Sequence, residues 1–382
     1  MPRKAFRICL DALLLALFAV HGAVGQANAA PSDGSRSGAI EYAKGFTAEQ
    51  HRNYTLLTVS QPWPGAQQEL RYLLVHRGAA IPAGYPGIPV ILVPVRSIVE
   101  LSSTYLAETV ELGEVDKITG VESLSYVYSP EVRSGIIAGR IKTVGEGQSL
   151  NIEELIKMNP DVIMTSAFGG ASDLNPKLQE AGLPVVVNGD WAEPTPLGRA
   201  EWIKFIALFF DEGAKASRIF DGVASEYHRL AALAASTSER PTVFVNAPWQ
   251  GTWTMPGGQS YMAQLFRDAG ARYLWANNDS SGTLTLDFEA VFSRASRADY
   301  WINPGSWTSL SDALASDPRF AAFDAFRRGH LYNNTARITA DGGNDYWESG
   351  PANPQRVLAD LIQIFHPGLL VHRQLYYYEE LK

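Results

Sequence analysis

The chain has 382 residues, 32 Lys and Arg against 40 Asp and Glu, a formal charge of −8 and one cysteine. The absence of any Lys/Arg run argues against nucleic-acid binding on electrostatic grounds, and a single cysteine excludes an internal disulfide framework. The length suits two domains.

Arg3, Lys4 and Arg7 form a basic head, and Ala12 to Val20 is an apolar run too short to span a bilayer. Ala27-Asn28-Ala29 is a small-x-small site. Together they predict a signal peptide over 1–29, cut before Ala30. Cys9 lies ahead of the apolar run, whereas a lipoprotein cysteine would follow it at the cleavage point. The expected mature chain is soluble in the periplasm, without a thiol, disulfide or lipid anchor. Cutting removes three basic residues and one acidic residue and leaves a formal charge of −10.

Residues 31–39 are small and polar and predict a disordered lead-in. Tyr54 to Ser60 and Glu69 to His76 predict two strands of a hairpin around Gln61-Pro-Trp-Pro-Gly65. Val90 to Val95 predicts a buried strand, Ser103 to Leu112 a helix ended by Gly113, and Lys117 to Val121 a strand. Then come a helix from Asn151, a strand over Asp161–Thr165, a helix near Pro176–Ala181 and a strand over Pro184–Asn188. This alternation predicts a parallel α/β sheet. From Leu197 to Ala235 the rhythm breaks. Trp202, Phe205, Ile206 and Phe209, then Ile219, Val223, Tyr227 and Leu230, recur at helical spacing, with Gly213 marking a break. Alternation resumes at Thr242–Asn246, runs to Leu331–Asn333 and closes on a helix over Pro354–Phe365. The predicted fold is α/β, with two lobes joined by a long helical connector and a ligand cleft between them. Its parts are an extension (30–90), a first lobe (91–195), the connector (196–238), a second lobe (239–345) and a terminal helix and tail (346–382).

One unit occurs twice. Asn151-Ile-Glu-Glu-Leu-Ile-Lys-Met-Asn-Pro-Asp-Val-Ile-Met164 and Asp287-Phe-Glu-Ala-Val-Phe-Ser-Arg-Ala-Ser-Arg-Ala-Asp-Tyr-Trp-Ile302 each open on an N-cap residue. Each places a Glu two residues later, Glu153 or Glu289, and continues as a short helix, an Asp and a strand. Acidic residues favour helix N-termini because of the macrodipole, which accounts for either Glu alone. Two in matching frames suggest two similar lobes, each displaying one carboxylate.

With Val144-Gly-Glu-Gly147, Asn159-Pro-Asp-Val-Ile163, the connector and Asp287-Phe-Glu289, the chain resembles the helical-backbone class of periplasmic solute-binding proteins of ABC importers. These carry ferric siderophores, haem or cobalamin. The resemblance covers most of 90–366 and leaves the hairpin region as an addition. It implies two lobes that close slightly over a ligand. It also implies that Glu153 and Glu289 dock onto arginines of a permease dimer with its ATPase, that the chain is a monomer, and that it is not an enzyme.

Ligands of such folds sit at the carboxyl ends of the strands. The loops expected there are aromatic. They offer Tyr126 and Tyr128, Phe168, then Trp249, Trp253 and Met255, then Trp307, and finally Tyr346 and Trp347. Flat rings with polar handles suit a bulky chelated ligand, although loop aromatics also pack into cores. Arg337 is the first candidate to meet an anionic chelate, ahead of Arg140 and Arg96. The histidines after the leader do not map onto these loops, so no bare-metal site and no protein-bound cofactor is expected. A ferric siderophore-type chelate is the first expectation, cobalamin or haem the alternative. An exported enzyme is a third reading, and no motif pairs a nucleophile with a base to support it.

Overall fold

The computed structural model describes residues 39–382 apart from 64, 146–148, 170–172 and 174. The expected signal peptide, nearly all of the lead-in and part of Gly145-Glu-Gly147 lie outside the described residues.

The extension forms a four-stranded sheet of β1 (Phe46–Gln50), β2 (Tyr54–Val59), β3 (Leu70–His76) and β4 (Val90–Val93). The predicted hairpin is β2–β3. The predicted strand Val90–Val95 falls almost wholly in the first lobe as bounded from sequence, which starts at residue 91. The strand's first four residues instead form β4, which runs parallel to β3 and completes the added sheet. Two carboxylates, Glu193 just before the connector and Glu201 within it, hold the entry to this sheet. Glu201 accepts the backbone N–H groups of Glu41, Tyr42 and Ala43, and Glu193 accepts those of Lys44 and Gly45. Phe46 then packs on Trp202 and Phe205. The extension is thus built into the main core.

The first lobe alternates β5 (Ile98–Glu100), α1 (Ser103–Glu111), β6 (Ile118–Val121), α2 (Pro130–Ile137), β7 (Lys142–Thr143), α3 (Ile152–Met158), β8 (Val162–Thr165), α4 (Asn175–Glu180) and β9 (Val185–Val187). Its five strands are all parallel, in the order β7-β6-β5-β8-β9. The connector comprises α5 (Pro196–Ala200), α6 (Ile203–Ala207) and α7 (Gly213–Ala235). On α7 the residues Ala216, Phe220, Val223, Tyr227, Leu230 and Ala234 are buried at three- and four-residue intervals, one apolar stripe on a helix of 23 residues. This helix packs against α6 and against the terminal helix α13 (Pro354–Phe365). Among the described residues no helix is long and apolar enough to cross a membrane.

The second lobe runs β10 (Thr242–Val245), β11 (Trp253–Pro256), α8 (Tyr261–Asp268), β12 (Arg272–Tyr273), β13 (Thr283–Leu286), α9 (Phe288–Ala295), β14 (Tyr300–Ile302), α10 (Leu310–Ser316), α11 (Asp324–Arg327) and β15 (Leu331–Asn333). Helices α12 (Asp345–Glu348) and α13 (Pro354–Phe365) and strand β16 (Glu379–Glu380) close the chain. The sheet order is β12-β10-β14-β15-β16, parallel except for β16. The tail that delivers β16 is tied down by Asp360, buried on α13, which accepts the N–H groups of Tyr376 and Tyr377.

The internal repeat is structural. Asp161 accepts the Arg96 N–H at 2.6 Å, and its own N–H reaches the Ser97 hydroxyl at 3.0 Å. Asp299 accepts the Thr242 N–H at 2.8 Å, and its own N–H reaches the Thr242 hydroxyl at 2.9 Å. In each lobe one Asp pins the start of its strand, β8 or β14, to the start of the neighbouring parallel strand, β5 or β10.

Candidate functional site

The carboxyl ends of the two parallel sheets meet. The loop after β6 carries Tyr128 and Ser129, and both donate backbone N–H groups to the Glu348 carboxylate of the opposite side, at 2.5 and 2.8 Å. Arg133 pairs with Asp341. A Cβ on Gly343 would fall inside van der Waals contact with the Val127 carbonyl, so glycine lets the two backbones approach there. Arg337 donates to Asp345 at 2.6 Å and lies between the rings of Tyr128 and Tyr376, at 4.9 and 4.3 Å. These contacts form one clasp across the cleft. The sequence reading offered Arg337 as the cation for an anionic ligand. In the structure its charge is matched by Asp345, and its plane is stacked between a ring from each side.

The ten ligand candidates divide by burial. Trp253 and Met255 are fully buried, which corrects their placement in the cleft. They alternate inward along β11, which pairs with β13 as a ribbon that the sequence reading took for loop. The Trp253 ring packs against Phe244, Trp301 and Phe288, and its Nε1–H donates to the Val245 carbonyl. Trp307 and Tyr346 are likewise buried, against Trp301 and Phe320 and against Tyr377 and Tyr378 respectively. They are wall supports. Four large side chains remain outward: Tyr126 at 46%, Phe168 at 65%, Trp249 at 77% and Trp347 at 55% exposure. Each follows a carboxyl strand end, two from each lobe. Trp249 sits at the base of a tight turn closed by reciprocal bonds with Thr252, with Gln250 and Gly251 both at positive φ. A rigid turn that holds so large an apolar surface in water points to a partner for it.

The added sheet joins this rim. Its hairpin turn lays Trp63 on Gly169, whose φ of +71° and missing Cβ allow the ring to approach. Phe168 is 5.2 Å from Trp191, and Trp191 Nε1 is a buried donor without a partner among the described residues. The sequence showed a Pro-flanked turn but gave no sign of where it lands.

Sequence reasoning also missed the polar floor. Arg199, on α5, pairs with Asp190 at 3.0 Å and stacks over Tyr261. Tyr105 shares a hydrogen bond with Ser166 and donates to the Asn188 carbonyl. Buried acids lie beside them. Burial pushes Glu108 well above the carboxylate range, with Asp190 adding to the rise. Glu348 is pushed up to about 7 by burial, which outweighs its two backbone donors. Glu100, at the end of β5, is pushed up to about 8 by burial, against the pull of its 2.5 Å bond from the Thr109 hydroxyl. Its other oxygen has no partner among the described residues.

A pH dependence follows from Glu100. The folded chain holds this proton up to about pH 8, whereas the unfolded chain releases it near 4.5. Its stabilising contribution is therefore complete below about pH 4.5 and declines as pH rises to about 8, by about 1.4 kcal/mol per pH unit of that window. Glu100→Gln is expected to fold and to lose less stability than the wild type on going from about pH 5 to about pH 8. Parallel curves of melting temperature against pH for the two proteins would refute the assignment.

Glu153 and Glu289 stand where the repeat predicts. Each is the second residue of its helix, α3 or α9, and each is exposed. The caps are made by their neighbours: Asn151 accepts the Glu154 N–H and Asp287 accepts the Ala290 N–H. Glu289 lies 3.4 Å from Arg319 in an exposed pair.

Two parallel lobes, a helical connector and a cleft between strand ends are the architecture of a two-lobe solute-binding protein. A family model described as "Periplasmic binding protein" matches residues 98–337, and the chain belongs to that family. An uncharacterized lipoprotein of Methanocaldococcus jannaschii is 26% identical over 299 residues, covering 76% of this chain and 69% of its own. Among solved structures, a periplasmic heme-binding protein from Pseudomonas aeruginosa aligns over 75% of this chain and 98% of its own, with a TM-score of 0.59 and 19% identity. A structure titled as an ABC-type Fe3+-hydroxamate transport system, from Saccharomonospora viridis, aligns over 72% and 94%, with a TM-score of 0.54 and 18% identity. At these identities the likeness is one of fold.

Proposed function

We propose that this protein captures a bulky, near-neutral metal–organic chelate, a ferric siderophore first, and delivers it to an inner-membrane permease through Glu153 and Glu289. The observation that carries the reading is the rim of Tyr126, Phe168, Trp249 and Trp347, outward-facing aromatics from both lobes at the strand ends. Charge narrows the ligand. The arginines of the clasp and floor, Arg133, Arg199 and Arg337, each hold a carboxylate. A polyanionic catecholate or haem would need to compete for them. A ferric trihydroxamate carries three monoanionic ligands on a trivalent ion and needs no cation. The same observation favours a corrinoid as the second reading, since it too offers a large surface for aromatic contact. The protein acts in this proposal as a periplasmic monomer.

Titration of tryptophan fluorescence with a ferric hydroxamate, a ferric catecholate, haem and cyanocobalamin tests this. Saturable quenching by the hydroxamate is the expected result. Binding confined to catecholate or haem would overturn the neutral-ligand reading, and silence across the panel would overturn chelate capture.

A further inference from the structure

The second lobe holds a hollow of about 390 Å³ whose lining includes Thr242, Tyr273, Leu274 and three arginines, Arg272, Arg294 and Arg297. It lies at the other end of the sheet from the cleft. Thr242 opens β10 and Ala298 precedes β14, so the hollow adjoins the amino ends of these strands, beside the edge strand β12. The cleft lies beyond their carboxyl ends.

The arginines come from three places: Arg272 from β12, Arg294 from the last turn of α9, and Arg297 from the segment after it. Among the described residues none of the three is paired with a carboxylate. Asp299, the acid nearest in sequence, is taken up by the Thr242 N–H and hydroxyl and by Arg328. The Arg294 guanidinium lies 5.2 Å from the Trp275 ring centroid, a cation–π contact that holds it in place. A cation in the last turn of α9 also complements the helix dipole. That accounts for Arg294 and leaves Arg272, on a strand, and Arg297 unexplained. All three are exposed, and on a chain of formal charge −8 they gather positive charge around one concavity, which raises the local concentration of anions.

We propose that this hollow binds a multiply charged, phosphate-bearing anion. Planar guanidinium forks match phosphate oxygens two at a time. The volume falls in the range of small-ligand pockets, roughly 300–1,000 Å³, and exceeds what a bare phosphate fills. The remainder is walled by Tyr273, Leu274 and Ala298, which suits an organic or lipid portion. A free phosphate compound and an anionic lipid headgroup share this chemistry.

The test uses the mature full-length chain. Calorimetric titration with pyrophosphate covers the soluble source. Co-sedimentation with phosphatidylcholine vesicles, with and without phosphatidylglycerol, covers the lipid source. The combined variant Arg272→Ala/Arg294→Ala/Arg297→Ala is expected to weaken binding at least tenfold and to leave chelate quenching at the cleft unchanged. Loss of pyrophosphate binding in the variant assigns a soluble ligand. Loss confined to phosphatidylglycerol vesicles assigns a headgroup. Absence of both in the wild type, or equal binding by the variant, overturns the proposal. Should the combined variant fail to fold, the exposed single change Arg297→Gln decides by the same readouts, with a severalfold loss expected and none overturning.

Discussion

Exchanging Glu153 and Glu289 together for Ala is expected to abolish chelate uptake while leaving chelate affinity within about twofold of wild type. The reason is geometric. Each carboxylate is exposed on the first turn of a helix whose cap is made by another residue, Asn151 or Asp287. Removing either Glu therefore forfeits only a dipole contribution of about 0.3–1 kcal/mol, and both helices stay folded. Neither residue belongs to the aromatic rim. At a permease surface the balance differs. Truncating one partner of a desolvated charge pair costs about 2–5 kcal/mol, and two such losses remove at least about three decades of complex affinity. Glu289 is not held back by its own chain. Its pair with Arg319 is exposed and long at 3.4 Å, and Arg319 is already bound to Asp317 and stacked on Phe288. An exposed pair of this kind is worth about 0–1 kcal/mol. Uptake by cells carrying the importer, read beside fluorescence titration of the purified variant, checks the prediction. Normal uptake, or affinity that falls with uptake, would remove both residues from docking.

What the sequence shows of this molecule follows the range of the interactions involved. The repeat is legible because N-caps, first-turn carboxylates and the Asp before each strand act within a few residues. The spacing difference between the copies is local too: α3 ends on Asn159 in the left-handed region, whereas α9 runs on through Ser296 before Asp299. The connector is legible because its buried stripe recurs with the helical period. What failed depends on partners distant in the chain. Met255 reads as a loop residue until Leu284 is found opposite it on β13. Ile91 reads as lobe until Leu74 on β3 is found beside it. Arg337 reads as a free cation until Tyr128, far back in the chain, closes over it. Arg199 shows no local pattern at all, because its role comes from Asp190 and Tyr261, which only the fold assembles.

That division between local and assembled structure predicts opposite outcomes for two tryptophans four residues apart. Trp249→Ala removes a ring that is 77% exposed on a turn held by backbone bonds to Thr252. Stability is expected to change by less than about 0.5 kcal/mol, as for an ordinary surface site. Chelate affinity is expected to fall about 30-fold, because covering a large apolar side chain contributes about 2 kcal/mol. Trp347→Ala, on the same side of the cleft, is expected to act alike, and the double variant to lose about three decades if the rings contact separate parts of the ligand. Trp253→Ala reverses the pattern. That ring is fully buried among Phe244, Trp301 and Phe288, and its removal is expected to cost about 3–5 kcal/mol of stability through the cavity left behind. Thermal melts and fluorescence titration on the three single variants separate the two effects. An affinity loss at Trp253 without destabilisation would return that residue to the cleft. Unchanged affinity at both Trp249 and Trp347 would remove the rim from ligand capture, and with it the main support for a chelate as cargo.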